Sequence, residues 1–264
     1  MTPSGDRVLT RGELVRDQLT QPPFGTRRPR DATPVRVGVT GTGDDLLVLA
    51  WSAAGLARER AAGTRVLRRL GVEPGMRVAN VLPGALATPG SLLLGDVIEE
   101  LGALDVPLGI VDGESAARQA WDLVDRVEPH VLVLDHASGP ALLAAIPAGA
   151  RPWWRGIVWL GIGSAAPAPA AFDGWQRNWL AVPEATSFLG ASCTASRVHV
   201  DEAVAVEVAA PDGTPIPRGD AGMLLVTVRD PDLPLARYAS GLRARIAPTP
   251  CPCGLPGVTV ELLR

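Results

Sequence analysis

Three cysteines and one histidine in the last third of the chain carry the clearest chemical signal. Cys193 and His199 lie close together, and Cys251 and Cys253 sit in a Cys-Pro-Cys-Gly turn ending at Gly254. Three thiolates and one imidazole suit a tetrahedral zinc ion. A clip between segments so far apart in sequence would also stabilise a loop-rich β region. Two other readings fit the same residues. They are three buried apolar thiols beside an unrelated histidine, or a catalytic thiol. If all four groups bind the metal, no open coordination position remains, and the zinc is structural.

A second constellation is Asp135-His136-Ala137-Ser138, directly after the apolar run Val131–Leu134. An acid, an imidazole and a hydroxyl at the carboxyl end of a parallel strand stand where ligands bind in α/β sheets. His136 is a candidate general base, with Asp135 orienting it or acting as the base itself, and Ser138 completing the set. The plainer reading is a polar helix entry capped by Ser138. His130 reads as a surface residue at the start of the strand.

Composition narrows the classes. The chain has 264 residues, is 47% hydrophobic and carries a net charge of −3. The length suffices for one large domain or two unequal ones. The net charge argues against a general nucleic-acid binder. No apolar run reaches the ~20 residues of a membrane span, and the polar start is not a secretory signal. All 25 basic residues are arginine, so the sequence contains no lysine. That excludes a phosphate-binding lysine, a Schiff-base lysine and lysine-dependent adenylation within these residues. Three cysteines without an export signal point to a reducing, cytoplasmic compartment.

The elements that must position these groups follow from periodicity and caps. Residues 1–34 read as a short helix (Val8–Leu19) and an extended arm with Arg27, Arg28 and Arg30. That basic cluster is either a solvated stretch or an anion or partner contact. Residues 35–185 read as α/β. Strands are expected at Val35–Val39, Arg77–Leu82, within Ala103–Val111, at Val131–Leu134 and at Gly156–Leu160. Helices are expected at Ala53–Leu70 (capped by Ser52 and ended by Gly71), Ser91–Leu101, Glu114–Val127 and Gly139–Ile146. This alternation implies a mainly parallel sheet covered by helices. Residues 186–264 read as a smaller antiparallel β subdomain carrying the metal site, with strands at Val204–Val208, Met223–Val228 and Val258–Leu262 and a turn at Pro211–Thr214. Ala165–Ala171 reads as a loop. Trp153, Trp154, Trp175 and Trp179 are candidates for an exposed aromatic anchor, although the last two, at helical spacing, fit a core helix as well.

Several segments together resemble the phenylacetate–CoA ligases of the adenylate-forming superfamily. They are Asp220-Ala-Gly-Met-Leu-Leu-Val-Thr-Val228, Leu233-Pro-Leu-Ala-Arg-Tyr-Ala-Ser-Gly-Leu242, Cys251-Pro-Cys-Gly254 and Gly71-Val-Glu-Pro-Gly-Met-Arg-Val78. Val39-Thr-Gly-Thr-Gly-Asp44 is similar to the remains of that family's phosphate loop, here Thr40, Gly41, Thr42 and Gly43. The resemblance implies the family's large N-terminal domain and a zinc site at Cys193, His199, Cys251 and Cys253, because some members hold zinc there.

The departures from the family pattern bear on activity. The loop runs into Asp44-Asp45, whose carboxylates repel a triphosphate. The family's magnesium-binding Glu has no counterpart in Phe188–Cys193. Leu242 stands where the family's ribose-binding Asp would be. The family's lysine-bearing C-terminal domain has no counterpart after Arg264. The expected protein is therefore a degenerate, truncated homologue that has lost adenylation and uses neither ATP nor magnesium. Two functions are expected: an ATP-independent hydrolase or cyclase of an acyl or aryl thioester or ester, or a non-catalytic homologue binding a ligand or a partner biosynthetic enzyme. A residual CoA ligase is the third, weaker expectation. A homodimer, no nucleic acid and no membrane complete the expected partners.

Overall fold

The computed structural model describes residues 7–27, 33–84, 87–161, 169, 172–229 and 234–263. Arg28, Arg30 and most of the Ala165–Ala171 segment lie outside the described residues. The chain begins with α1 (Arg11–Thr20), opened by a capping box in which Thr10 and Glu13 satisfy each other's backbone amides. A hairpin follows, β1 (Arg36–Thr40) and β2 (Leu47–Trp51), joined through a 3-10 turn at Gly43–Asp45. The sequence reading missed β2, because the turn residues before it and the Ser52 cap after it leave only five residues between two breakers.

The parallel half matches its expected pattern. Ser52 caps α2 (Ala53–Arg69) by accepting from the Gly55 amide. The next elements are β3 (Arg77–Asn80), α3 (Ser91–Leu101), β4 (Leu104–Pro107), α4 (Gly113–Val127), β5 (Val131–Leu134), α5 (Gly139–Ala144) and β6 (Gly156–Leu160). β7 (Trp175–Val182) adds a further parallel strand to β6. Trp175 and Trp179 are thus on a strand. An even offset of four keeps two residues on one face of a strand as well as on one face of a helix, so their spacing could not separate the two.

From β7 onward every pairing is antiparallel: β8 (Thr186–Ser192), β9 (Val198–Val200), β13 (Thr259–Leu263), β12 (Leu235–Ile246), β11 (Ala221–Val228) and β10 (Val204–Ala209). Among the described residues, the parallel and antiparallel halves are edge to edge in one eleven-stranded sheet, ordered β10-β11-β12-β13-β9-β8-β7-β6-β5-β3-β4. The α/β class is as expected, and the two halves share a sheet.

Among the described residues, three cores hold this sheet. One face of the parallel half packs on α2 and α3 through Leu67, Val97, Ile98 and Val133. The other packs on α4 and α5 through Trp121, Leu142 and Trp159. The antiparallel half packs on α1 and β2 through Leu14, Leu49, Leu224 and Tyr238. Trp154 and Trp179 are buried in these cores, so neither is a surface anchor. α2 approaches α3 closely at Gly63, where a Cβ would come within 2.6 Å of the Val97 side chain.

Buried charge pins α2 to the antiparallel half. Glu59, on the buried face of α2, accepts from Thr186 Oγ1 at 3.2 Å and the Ser187 amide at 3.0 Å. Arg65 makes a two-pronged contact with Asp201, 2.8 Å from Nε and 2.7 Å from Nη2, and Asp201 is 1% exposed. Arg69 donates to the Val200 carbonyl at 3.1 Å.

Two stability outcomes follow from these contacts. Arg65→Ala leaves a carboxylate buried without its counter-ion and is expected to cost about 2–4 kcal/mol by urea unfolding, after allowance for the exposed third of the arginine. Arg118→Ala, which breaks an exposed ion pair with Glu114, is expected to cost under about 0.5 kcal/mol. Asp105 on β4 behaves in the opposite sense to most acids. Burial pushes its carboxyl up from 3.8 to about 6, with Glu99 adding to the rise and the hydrogen bond from Asn80 opposing it. The folded state therefore holds this proton longer than the unfolded chain, and stability falls as pH rises between those values. Asp105→Asn is expected to remove that dependence and to raise stability at pH 7 by about 1–2 kcal/mol, read by denaturation at pH 4 and pH 7.

Candidate metal centre and ligand cleft

The four metal-type residues come together where β8, β9 and β13 meet. Cys193 follows β8 directly, and its amide donates to the Arg197 carbonyl at 2.9 Å, closing the turn into β9. His199 is on β9, paired with Ala191 of β8 and Thr259 of β13. Cys251 and Cys253 come from the loop between β12 and β13, held by a Gly254 amide to the Cys251 carbonyl at 3.1 Å.

One ligand atom from each of the four lies within 4.8 Å of all the others. Cys193 Sγ is 3.6 Å from Cys251 Sγ, and Cys253 Sγ is 3.2 Å from His199 Nε2. The cysteines are free thiols. His199 Nδ1 faces the Pro256 carbonyl at 3.2 Å. Donation there fixes the tautomer and leaves the Nε2 lone pair pointing at the sulfurs, the usual support for a metal-bound histidine. Burial holds the imidazole below its ordinary pKa, which favours the neutral ligand form. Burial raises the Cys193 thiol, and amide donors at Ala195 and Arg197 outweigh it, leaving this thiol below its ordinary value. The four residues could hold a metal ion.

Asp135, His136 and Ser138 are adjacent but face different ways. Asp135 Oδ1 accepts from the Ala137 amide at 3.0 Å and the Ser138 amide at 2.6 Å. The carboxylate therefore caps the entry to α5, the task the plainer reading gave to Ser138. Ser138 is buried, with Oγ accepting from the Val111 amide at 3.3 Å. His136 is exposed and stacks on Trp159 with ring centroids 5.4 Å apart. No hydrogen bond joins the three side chains to one another among the described residues. His130 is half-buried, and its Nδ1 accepts from the Arg77 amide at 3.0 Å.

A cleft of about 450 Å³ opens beyond the carboxyl ends of β6 and β7. Its walls are Gly161, the β7–β8 turn from Leu180 to Glu184, the Tyr238–Leu242 stretch of β12, and Thr40, Gly41 and Asp45 of the β1–β2 loop. The loop singled out from the sequence is therefore at a cleft, and Leu242 lines it too. Two amides at the end of this loop turn inward: those of Asp45 and Leu46 donate to the Thr42 and Gly43 carbonyls.

Two residues that sequence reasoning passed over dominate this cleft. Arg11 of α1 donates through Nε to Asp45 Oδ2 at 2.6 Å. Its Nη2 donates to the Thr40 carbonyl at 2.8 Å and the Asp45 carbonyl at 2.7 Å, and its Nη1 pairs with Glu184. Glu184, 8% exposed, places an acid at the cleft, whereas the sequence reading looked for one only within 188–193. β8 occupies that stretch, and the turn that reaches the cleft comes before it. Tyr238 stands beside this pair, and burial together with Glu184 keeps its phenol protonated. The arginine and the glutamate are 173 positions apart, so no local pattern links them.

No family model matches the sequence, and no curated protein matches it either. Solved structures do match. An open conformation of 2-hydroxyisobutyryl-CoA ligase, in complex with 2-HIB-AMP and CoA, superposes with a TM-score of 0.82 at 19% identity, over 97% of this chain and 62% of that one. An anthranilate CoA ligase in complex with anthranoyl-AMP gives 0.59 at 12% identity, over 86% of this chain and 47% of that one. The O-succinylbenzoate coenzyme A synthetase of Bacillus subtilis, in complex with AMP, gives 0.58 at 12% identity, over 89% and 50%. The chain thus spans less than two thirds of the length of these structures. Over the matched residues its fold is that of these CoA ligases and synthetases.

Proposed function

We propose that this protein binds a small acyl or aryl compound in the cleft beyond β6 and β7 without adenylating it. The observation that carries this reading is the Arg11 guanidinium. It draws together two carboxylates and two carbonyls of the loop and the β7–β8 turn. Two of the loop's amides, those of Asp45 and Leu46, are spent within its turn and are withdrawn from any phosphate. The absence of lysine from the sequence and the apolar Leu242 on the cleft wall point the same way. The cleft is within the ~300–1,000 Å³ usual for small-molecule sites.

A hydrolase or cyclase is the second reading, and one observation favours it. His136 is exposed beside Gly161, which lines the cleft; a Cβ on that glycine would be 3.9 Å from the imidazole Cδ2. It ranks second because Asp135 is engaged as a cap and Ser138 is buried.

The metal in this proposal is zinc. Tetrahedral zinc with sulfur bonds near ~2.3 Å places its thiolates ~3.8 Å apart. The observed Cys193–Cys251 spacing of 3.6 Å fits that set. Four protein ligands leave no position for substrate, so zinc would join β8, β9 and the loop before β13 and would take no part in chemistry.

Two measurements test these readings. Calorimetry is expected to show no ATP–magnesium binding tighter than ~1 mM and measurable binding of aryl or acyl thioesters. Capture of ATP or formation of an acyl-AMP would overturn the non-adenylating reading. Thiol release by the wild type that His136→Ala abolishes would replace binding with hydrolysis. Separately, protein purified without chelator is expected to hold about one zinc per chain, and Cys253→Ser to lose it and melt at lower temperature. Less than about half an equivalent in the wild type would rule out the four-ligand site.

A further inference from the structure

The cleft contains a charge arrangement that bears on what it will accept. Four oxygens converge on the single guanidinium of Arg11: Asp45 Oδ2, Glu184 Oε1 and the carbonyls of Thr40 and Asp45. Two carboxylates with two carbonyls form an oxygen set that a hard divalent cation would also satisfy. Arg11 reaches them because α1 is anchored at both ends. Before it, Leu9 bridges to Tyr238 of β12, with amide contacts to Arg237 and Ala239. Within it, the Gln18 side chain exchanges two hydrogen bonds with the backbone of Val48, at 2.6 and 3.0 Å, on the open edge of β2. The helix therefore presents its arginine to the cleft from a fixed position.

We propose that Arg11 is the specificity-determining residue of the cleft. It is an internal cation that takes up the oxygens of Asp45, Glu184 and Thr40, and so closes the site to a divalent metal and to the phosphates such a metal would carry. Two acids facing one arginine leave the wall negative once the arginine is engaged, so a bare phosphate is repelled. A phosphate escorted by a metal finds the metal's ligands already taken. Ligands lacking phosphate are unaffected. This inference rests on the non-adenylating reading of the cleft and assigns that property to one side chain.

The test is manganese binding, followed by calorimetry and by paramagnetic resonance of the free ion, on the full chain. Wild type and Arg11→Lys, which keeps a cation in place, are expected to show no manganese site beyond weak surface binding. Arg11→Met, which keeps much of the side chain's bulk, and Arg11→Ala are expected to bind manganese at least about tenfold more tightly than wild type. Adding Glu184→Gln to Arg11→Met is expected to abolish that gain. Failure of both folded Arg11 variants to gain manganese binding would overturn the proposal and leave the non-adenylating reading intact. Loss of folding in both would show that Arg11 serves the fold alone, and would overturn it equally. ATP–magnesium binding by the wild type would instead sink the underlying reading, which separates the two failures.

Discussion

β8 is the strand on which both halves of the molecule depend. Each of its seven residues is buried, with Phe188 and Ala191 facing the α2 and α3 core and Leu189 facing the core beneath α1. It is also the first strand paired antiparallel on both sides, next to β7, where parallel pairing gives way to antiparallel. A strand with no solvent face must have its backbone and side-chain polar groups satisfied internally. Glu59 does part of this from α2, at Thr186 Oγ1 and the Ser187 amide, whereas Ser187 Oγ is buried without a partner among the described residues; the neighbouring Arg65–Asp201 pair ties the same helix to the end of β9. The polar contacts at this seam are thus conditions for burying the strand.

The metal-type cluster belongs to the same seam. His199 sits in the ladder between β8 and β13, and the three thiols reach it from turns that follow β8 and precede β13. Two short pairings join β9 to its neighbours, which is a weak join for two large halves. Ligation across that join would restrain the loop carrying Cys251 and Cys253, in which Leu255 is exposed.

The place of the cleft follows from the sheet. Sheets of this kind place ligands beyond the carboxyl ends of their parallel strands, and the cavity lies there. Four polar side chains fill the rim. Arg11, Asp45, Glu184 and Tyr238 form a closed charge cluster whose members satisfy one another. A self-satisfied cluster has little reason to engage a strongly charged ligand, because every new contact must break an existing one.

Local chemistry made much of the parallel half legible. Ser52 before α2, Gly71 after it and the apolar runs at Val131–Leu134 and Gly156–Leu160 fixed those elements within a residue or two, since caps and periodicity act over a single turn. The donor set of Cys193, His199, Cys251 and Cys253 was equally readable from residue type. β2, β7, β8, β9 and β12 were not. β8, buried on both faces, lacks alternation, and the tryptophan spacing in β7 fits either period. Tertiary structure alone decided the roles of Asp135, His136 and Ser138, because neighbours in sequence can point to a cap, a stacking face and a core. It alone brought Arg11 to Glu184 as well. Sequence set the residue types and the short-range order; only the folded chain set which distant charges would meet, because that depends on where a buried seam and an anchored helix place them.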